Sequence, residues 1–392
     1  VIQGGKYVFT KNGVRRDFMS PCAVVQKDQS LISLLGDNLE AISREFEALT
    51  LHFSGGLDSS FLFAVMSHKN IDFEAEHHMP IEGEHSSEVN IAEDYCKKFN
   101  KELKKVTFDG TATLALPSVK IVNFPYDIPV YSVDSCREYR PRHCVVNGQG
   151  GDNVLLQNPP YMVGSDILKK SGIRLALKKI IQLSALKKSN FYKLLALNLL
   201  TYIRIWEQFT PYVKFPTWLP RSEGTQQQHH PLLHNHDPSS AKYEHIKRML
   251  DSLYSTKQGN RMGQRSFSPL LFQNIIAFMI ECECETTYNA QLDRLMPRKE
   301  LSTLVDAPII TRTQKKPSTD LIFCLLHDNA KVFRDFLIGG RLVKKLKINV
   351  MHLNRSIIGN TETGLTDDLQ FLLRLYQLES YFSPFPDTFF ES

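Results

Sequence analysis

The stretch FSGGLDSS, residues 53–60, constrains the fold of this chain more than any other part of the sequence. It continues the apolar run LTLH, in which Leu49, Leu51 and Phe53 would share one face of a β-strand. The apolar stretch SSFLFAVMSH follows the glycines and is typical of a buried helix. A strand, a glycine loop and a helix in this order predict a ligand-binding turn at the end of a strand in an α/β sheet.

Strand and helix patterns continue to alternate after this turn. DFEAEHHM predicts a strand, SSEVNIAEDYCKKF a helix, ELKKVTF a strand, and CVVN a short strand that runs into GQGGD. Such alternation favours a parallel sheet, because a crossover helix must separate parallel strands. We therefore expect an α/β fold with a parallel, twisted sheet and flanking helices.

The chain divides into three predicted regions. Residues 1–30 form short β-like pieces and read as the tail or linker of a preceding domain. Residues 31–160 carry the α/β pattern, and residues 161–392 are mostly helical. In the helical region, an apolar face is predicted for Ile173, Leu177, Ile180 and Ile181. The lysines of the same segment favour a solvated face, with docking of a peptide or acidic partner as the alternative and a membrane surface as the weakest one.

Composition excludes several classes of protein. The 47 basic and 42 acidic residues give a net charge of +5, which does not by itself predict nucleic-acid binding. No apolar run reaches the ~18–20 residues of a membrane span, and no signal peptide is visible. Seven scattered cysteines, of which only Cys282 and Cys284 are close neighbours, argue against a disulfide framework and for a cytoplasmic protein.

One histidine-rich stretch is a weak candidate for metal binding. His229, His230, His234 and His236 lie in a segment that reads as a loop. No neighbouring cysteine or carboxylate pattern accompanies them, so a plain loop is the preferred interpretation.

The glycine loop has the chemistry of a phosphate site. Gly55 and Gly56 allow amide N–H groups to approach an anion, and the helix that follows directs its positive end at the same place. Ser54, Ser59 and Ser60 add hydroxyl groups. Asp58 suits a Mg²⁺ ion that bridges phosphate oxygens rather than a phosphate itself. The spacing and lysine of a Walker A loop are missing, and a plain strand-to-helix turn is the competing interpretation.

SGGLDSS resembles the pyrophosphate-binding loop of the N-type ATP pyrophosphatases. This family includes asparagine synthetases, β-lactam synthetases and several tRNA-modifying enzymes. The resemblance implies an adenine nucleotide alpha hydrolase-like fold that cleaves ATP between the α and β phosphates and uses Mg²⁺. The implied ATP-contacting residues are Ser54, Gly55, Gly56, Asp58, Ser59, Ser60, Gly148 and Gly151.

Two further segments are similar to the asparagine synthetase branch. In VVNGQGGDN, Asp152 matches an aspartate that is the second Mg²⁺ ligand of that branch, beside Asp58. In RTQKK, Lys315 matches a catalytic lysine that contacts the reacting α-phosphate, with Lys316 as the alternative. Arg265 lies in a segment that resembles the seat of the helical subdomain and is interpreted as structural.

Gln149 departs from the branch, where asparagine synthetases have glutamate and β-lactam synthetases have tyrosine. An amide has no useful pKa and cannot act as a general base near neutrality. The stretch GQGGDNVLLQNPPYMVGSDILKKSGI, the pair Asp293 and Arg294, and KKPSTDLIF instead resemble the lasso-peptide cyclases, also called lasso-peptide macrolactam synthetases.

The lasso-cyclase resemblance implies a substrate and partners. The enzyme would adenylate an Asp or Glu side chain of a precursor core peptide and close an isopeptide ring with the peptide's N-terminal amine, releasing AMP and pyrophosphate. It would act with the leader peptidase of the same pathway and with a leader-binding protein, and neither with nucleic acid nor through a membrane span. The alternatives are asparagine or β-lactam synthesis, tRNA modification, and a nucleotide-binding scaffold without chemistry.

Overall fold

The computed structural model of the protein describes residues 5–10, 13–18, 29–80, 87–108, 142–203, 216–218, 231–233, 236–255, 259–261, 264–312, 326–363 and 368–383. The first two segments form a hairpin, in which β1 (Gly5–Thr10) pairs with β2 (Gly13–Phe18) in antiparallel register. This two-stranded sheet is separate from the central one.

The central sheet has six described strands in the order β5-β4-β3-β6-β8-β7. Five of them are parallel, and only β7 runs antiparallel, at the edge beside β8. The chain moves from β3 to β4 on one side and later returns to place β6 on the other side of β3. A topological switch point therefore lies between β3 and β6, which is where open α/β sheets bind ligands. The strands are β3 (Ala48–His52), β4 (Glu74–Pro80), β5 (Leu103–Phe108), β6 (His143–Val146), β7 (Gly259–Arg261) and β8 (Gln264–Phe267).

Helices flank the sheet and are the main elements of the described chain after β6, which confirms the predicted fold class. The four-residue α4 is the next element after β6 and is separated from it by residues 147–150. The helices are α1 (Leu31–Glu45), α2 (Leu57–His68), α3 (Ser87–Lys98), α4 (Gly151–Val154), α5 (Val163–Lys170), α6 (Ile173–Leu186), α7 (Phe191–Tyr202), α8 (Ala241–Ser255), α9 (Gln273–Glu281), α10 (Leu295–Leu304), α11 (Ala330–Ile338), α12 (Arg341–Lys345), α13 (Val350–Ile358) and α14 (Leu369–Phe382).

Local sequence explains the helices nearest the site. Ser30 caps α1, because its side-chain oxygen accepts the amide N–H of Ser33 at 3.1 Å. Helix α2 is buried on all sides from Leu57 to Met66, as expected for a helix without a polar face. Its first turn nevertheless holds Asp58, which a helix N-terminus stabilises electrostatically.

The main hydrophobic core lies between the sheet and the helices that pack on one of its faces. Leu49, Leu51 and Phe53 are all buried in it, as their alternation predicts. The same core includes Ile275 of α9 and Leu301 of α10. Residues far along the chain thus close over the strand ends where the glycine loop begins.

A second hydrophobic core is formed by the C-terminal helices. Phe333 of α11, Leu353 of α13 and Tyr376 of α14 are completely buried there. The buried Glu379 accepts the amide N–H groups of Arg341 at 2.9 Å and Val343 at 3.0 Å, so it caps the start of α12. This carboxylate ties the last described helix to α12.

The predicted apolar face of α6 is confirmed at Ile180 and wrong at Ile173 and Ile181. The buried stripe consists of Ala176, Ile180 and Leu183, at helical spacing. Ile173 is 61% exposed and Ile181 is 56% exposed. Because apolar residues occur on several sides of this helix, periodicity alone did not determine which side packs.

Candidate active site

The FSGGLDSS stretch links the end of β3 to the start of α2. Gly55 has a φ of 74°, in the left-handed region that favours glycine. The Ser59 hydroxyl donates to the carbonyl oxygen of Gly56 at 3.1 Å, and the Gly56 amide donates to the Ser54 hydroxyl at 3.3 Å. The six predicted ATP-contacting residues of this stretch lie between the end of β3 and the first turn of α2, a twelve-residue helix. Such a turn is suited to an anion, and phosphate binding itself stays a prediction.

The second loop follows β6, the neighbour of β3 in the sheet. Asn147 fixes its course through three side-chain hydrogen bonds. Its carbonyl oxygen accepts from the Ser268 hydroxyl at 2.7 Å and from the Gln149 amide at 3.0 Å, and its amide nitrogen donates to the Ser266 hydroxyl at 3.1 Å. Sequence reasoning missed Asn147, although a side-chain amide between a strand and GQGGD is a signal of loop anchoring.

Two glycines allow the second loop to touch the first. A Cβ atom on Gly148 would lie 3.1 Å from the Ser59 amide nitrogen and 3.2 Å from Cβ of Asp58. A Cβ atom on Gly151 would lie only 2.6 Å from Cγ of Asp58, closer than real contacts allow. Gly150 has a φ of 79°, which also favours glycine. The predicted ATP-contacting residues of the two loops are thus in direct contact.

The two predicted metal ligands share one cationic partner. Nη1 of Arg294 donates to Oδ1 of Asp152 at 2.9 Å and lies 3.2 Å and 3.4 Å from the two carboxylate oxygens of Asp58. The Asp58 side chain is 9% exposed, whereas that of Asp152 is 42% exposed. The site is therefore closed at Asp58 and open to solvent at Asp152.

The charge balance of this cluster explains how two carboxylates stay close together. Burial lowers the pKa of Arg294, but the charges of Asp58, Asp293 and Asp152 more than offset this, so its pKa is raised. Arg294 begins α10 and has a φ of 52°, which the surrounding contacts must hold in place. The position between the carboxylates clearly accepts positive charge, and carboxylate oxygens are the ligands that Mg²⁺ prefers. Asp58 and Asp152 thus fit the predicted metal.

Arg298 links the cluster to the turn at Ile309 and Ile310. Its guanidinium donates to the carbonyl oxygens of Ile309 at 3.0 Å and Ile310 at 2.8 Å, and it pairs with Asp293 at 3.4 Å. Burial lowers the pKa of Arg298 and the nearby charge of Arg294 lowers it further. Arg298 therefore fixes the backbone at Ile309 and Ile310. The described part of this segment ends at Arg312.

Several predicted residues lie outside the described part of the chain or apart from the two loops. Lys315 and Lys316 lie outside the described residues, as do His229, His230 and His234. The guanidinium of Arg265, on β8, lies 5.4 Å from the ring centre of Phe46, in keeping with a structural role. His236 is half-buried, and burial lowers its pKa.

Arg294 is the main site residue that sequence reasoning did not assign. In the sequence, the pair Asp293 and Arg294 supports only a family resemblance and predicts no role for the arginine. Arg294 contacts Asp152 and Asp58, which precede it in the chain by 142 and 236 positions. Local sequence patterns do not carry that information.

Comparison with known proteins identifies the family. Residues 31–331 match the family model described as asparagine synthase. The chain belongs to the asparagine synthase family. This match confirms the prediction of an asparagine synthetase-like, ATP-dependent ligase. The matched range of this asparagine synthase family member includes both loops, Arg294 and Lys315.

The chain is also similar to one curated relative. The sequence is 25% identical, over 97% of this chain and 70% of the relative, to the Microcin J25-processing protein McjC of Escherichia coli.

Among the described residues of this asparagine synthase family member, no helix combines the length and the apolar character needed to cross a membrane.

Proposed function

We propose that this asparagine synthase family member is an ATP-dependent lasso-peptide cyclase. The observation that carries the proposal is the pair of carboxylates, Asp58 and Asp152, held by Arg294 at the ends of two neighbouring parallel strands. The similarity to the Microcin J25-processing protein supports a peptide as the substrate, because the family match alone includes enzymes that act on small molecules.

ATP would bind across the two loops. The N–H groups and hydroxyls of residues 54–60 would hold the β- and γ-phosphates at the N-terminus of α2. Asp58 and Asp152 would hold Mg²⁺, which neutralises phosphate charge when bound. Gly148 and Gly151 keep the loops close enough for both aspartates to reach the same ion.

The proposed reaction has two steps, adenylation of a carboxylate and formation of an amide. A carboxylate oxygen of an Asp or Glu side chain in the precursor attacks the α-phosphorus of ATP, which forms an acyl-adenylate and releases pyrophosphate. The N-terminal amine of the core peptide then attacks the acyl carbon, which forms the amide, loses a proton and releases AMP. Lys315 would offset the negative charge that develops in both steps, an effect that typically changes rates by ~10²–10³-fold.

Gln149 distinguishes this chain from enzymes that use a residue of the second loop in amine chemistry. Its side chain is an amide at an exposed position of the loop, so it cannot accept the proton of the attacking amine near neutrality. Its backbone N–H is committed to Asn147. Asparagine synthesis by the route that uses a glutamate at this position is therefore disfavoured.

Arg294 would serve as the internal cation of the ligand-free site. Two carboxylates this close repel each other unless a positive charge lies between them. Arg294 supplies that charge and keeps Asp58 and Asp152 converged. The carboxylates are thereby arranged for a cation before ATP arrives, and the guanidinium must yield the shared position to the metal.

The partners follow from the substrate. A precursor must lose its leader before its core amine can react, so a leader peptidase acts beside the cyclase, with a leader-binding protein as a further partner. A cytoplasmic location is in keeping with the use of ATP. It is also in keeping with the four described cysteines, Cys96, Cys144, Cys282 and Cys284, which are all free thiols.

The direct test uses the full protein with ATP, Mg²⁺, the leader peptidase and the precursor peptide encoded beside its gene. We expect a peptide product lighter by one water, with AMP rather than ADP released. Both signals should be lost in Lys315→Ala and retained in Lys97→Ala, an exposed lysine at the end of α3. AMP release with free aspartate or another small carboxylate, without a cyclised peptide, would overturn the peptide assignment.

A further inference from the structure

Three potential metal ligands lie on one face of the central sheet, outside the ATP site. His52 is the last residue of β3 and pairs in register with Glu76 of β4. His78 is two residues further along β4. Because side chains alternate between the two faces of a strand, and neighbours in register share a face, these three side chains converge on the same side.

The ligand atoms are already close to one another. One nitrogen of each histidine and one carboxylate oxygen of Glu76 all lie within 4.8 Å of one another. Nε2 of His78 is 3.7 Å from Oε2 of Glu76, and the rings of His52 and His78 are 4.7 Å apart between centres. Two ligands of a tetrahedral zinc ion are about 3.4 Å apart, given Zn–N and Zn–O bonds of about 2.0–2.1 Å. Small side-chain rotations are enough to close the remaining gap.

The surroundings of Glu76 suit a ligating carboxylate. Its side chain is only 7% exposed, and Nζ of Lys104 donates to Oε1 at 2.8 Å. Lys104 binds one carboxylate oxygen of Glu76, and the other, Oε2, faces His78. Ligating carboxylates are generally hydrogen-bonded through their second oxygen in this way. The Lys104 side chain is 56% exposed, so solvent screens its charge.

We infer that His52, Glu76 and His78 form a zinc-binding site. Two imidazoles and one carboxylate are a ligand set that zinc takes with a fourth position left for water or another ligand. Mg²⁺ is disfavoured here, because it prefers oxygen ligands. The site is therefore chemically distinct from the aspartate pair at Asp58 and Asp152.

Zinc at this position would reinforce the base of the phosphate loop. His52 is followed by Phe53, whose amide donates to the carbonyl oxygen of Glu76 at 2.8 Å. On the opposite face, Nδ1 of His77 donates to the carbonyl oxygen of Phe53 at 2.8 Å. A metal that joins β3 to β4 would thus fix the strand end from which Ser54 and the loop begin, and would raise the thermal stability of the protein.

The test is a titration of the full, chelator-treated protein with Co²⁺ followed by Zn²⁺. We expect one equivalent of Co²⁺ to produce the visible absorption of a tetrahedral site, and zinc to abolish it. His52→Ala and His78→Ala should each weaken binding at least 10-fold. His68→Ala, at the exposed end of α2, should leave it unchanged.

A second pair of variants separates this site from the ATP site. Asp58→Asn and Asp152→Asn should retain Co²⁺ binding, since neither residue contributes a ligand to it. If the histidine variants fail to fold, the wild-type protein still decides, through the stoichiometry, the absorption and a rise in Tm with zinc. Absence of the tetrahedral spectrum in the wild-type protein, or equal affinity in His78→Ala, would overturn the assignment.

Discussion

Nη1 of Arg294 lies 2.9 Å from Oδ1 of Asp152, although 142 residues separate them in the chain. The same atom also contacts Asp58, so one guanidinium joins α10 to both loops of the candidate active site. The start of α10 thus helps to set the distance between the two aspartates that would hold Mg²⁺. This contact connects stability and metal binding, and both are measurable.

We predict that Arg294→Met destabilises the ligand-free protein. Removing one partner of a buried ion pair typically costs about 3–5 kcal/mol, because the opposite charge is left uncompensated. Mg²⁺ with ATP should recover part of this loss, since cations would again lie between Asp58 and Asp152. Thermal unfolding with and without Mg²⁺ and ATP measures both effects. Arg44→Met, at a largely exposed arginine, is the control and should unfold like the wild type.

The aspartate pair carries the second prediction. Asp58→Asn and Asp152→Asn should each reduce AMP formation by roughly 100-fold or more, the size expected when one electrostatic contact to the transition state is lost. Asp94→Asn, an exposed carboxylate on α3, should retain wild-type activity. AMP release by Asp152→Asn at the wild-type rate would mean that Asp152 is not a metal ligand in the reaction.

Gly151 and Gly172 offer a comparison between two kinds of glycine. Gly151→Ala places a Cβ atom 2.6 Å from Cγ of Asp58 and should abolish ATP binding. Gly172 has a φ of 84° and no heavy atom near an added Cβ, so Gly172→Ala should cost about 1–3 kcal/mol of stability through backbone strain. ATP binding measured by calorimetry should be lost in the first variant and kept in the second. The opposite pattern would contradict the contact between the loops.

His245 predicts a dependence of stability on pH. It is buried in α8, where its Nε2 donates to the carbonyl oxygen of Val154 at 3.0 Å, and burial lowers its pKa from 6.5 to about 4. The unfolded chain therefore binds more protons than the folded one between pH 4 and 6.5. The stability contributed by the neutral ring is complete above pH 6.5 and is lost as the pH falls toward 4, by up to about 3 kcal/mol.

The His245→Gln variant isolates this effect. Glutamine can still donate to the Val154 carbonyl but does not titrate, so its stability should change less between pH 6.5 and 4 than that of the wild type. Asp166 acts in the opposite direction, because burial raises its pKa to about 6 and its contribution is lost as the pH rises through that value. The difference between variant and wild type removes the Asp166 contribution. Parallel stability curves for the two proteins would disprove a depressed pKa for His245.

Sequence patterns predicted most of the fold because they depend on neighbours in the chain. Alternation identified β3 and the buried face of Leu49 and Leu51, and the pattern of SSEVNIAEDYCKKF identified the helix α3. The strand before GQGGD also formed as predicted, as β6. The asparagine synthetase-like resemblance, made on the two glycine loops, is confirmed by the family match.

Features that depend on tertiary contacts were not predictable in the same way. The pairing of Arg294 with two aspartates requires three distant segments to meet. The convergence of His52 and Glu76 requires the register between β3 and β4. The packed side of α6 is set by what surrounds it, because its own sequence offers more than one apolar face. The roles of the six loop residues, of Gly148, Gly151 and Asp152, and of Lys315 stay predictions.

The hydrophobic core on the sheet and the core formed by α11, α13 and α14 share no residue among the described parts of the chain. Substitutions in separate cores usually add independently in their effect on stability. Natural variation can therefore reshape the packing of the C-terminal helices without disturbing the strand ends that carry Asp58 and Asp152. Homologues of this protein can therefore differ in the packing of α11, α13 and α14 while they keep the same arrangement of Asp58 and Asp152.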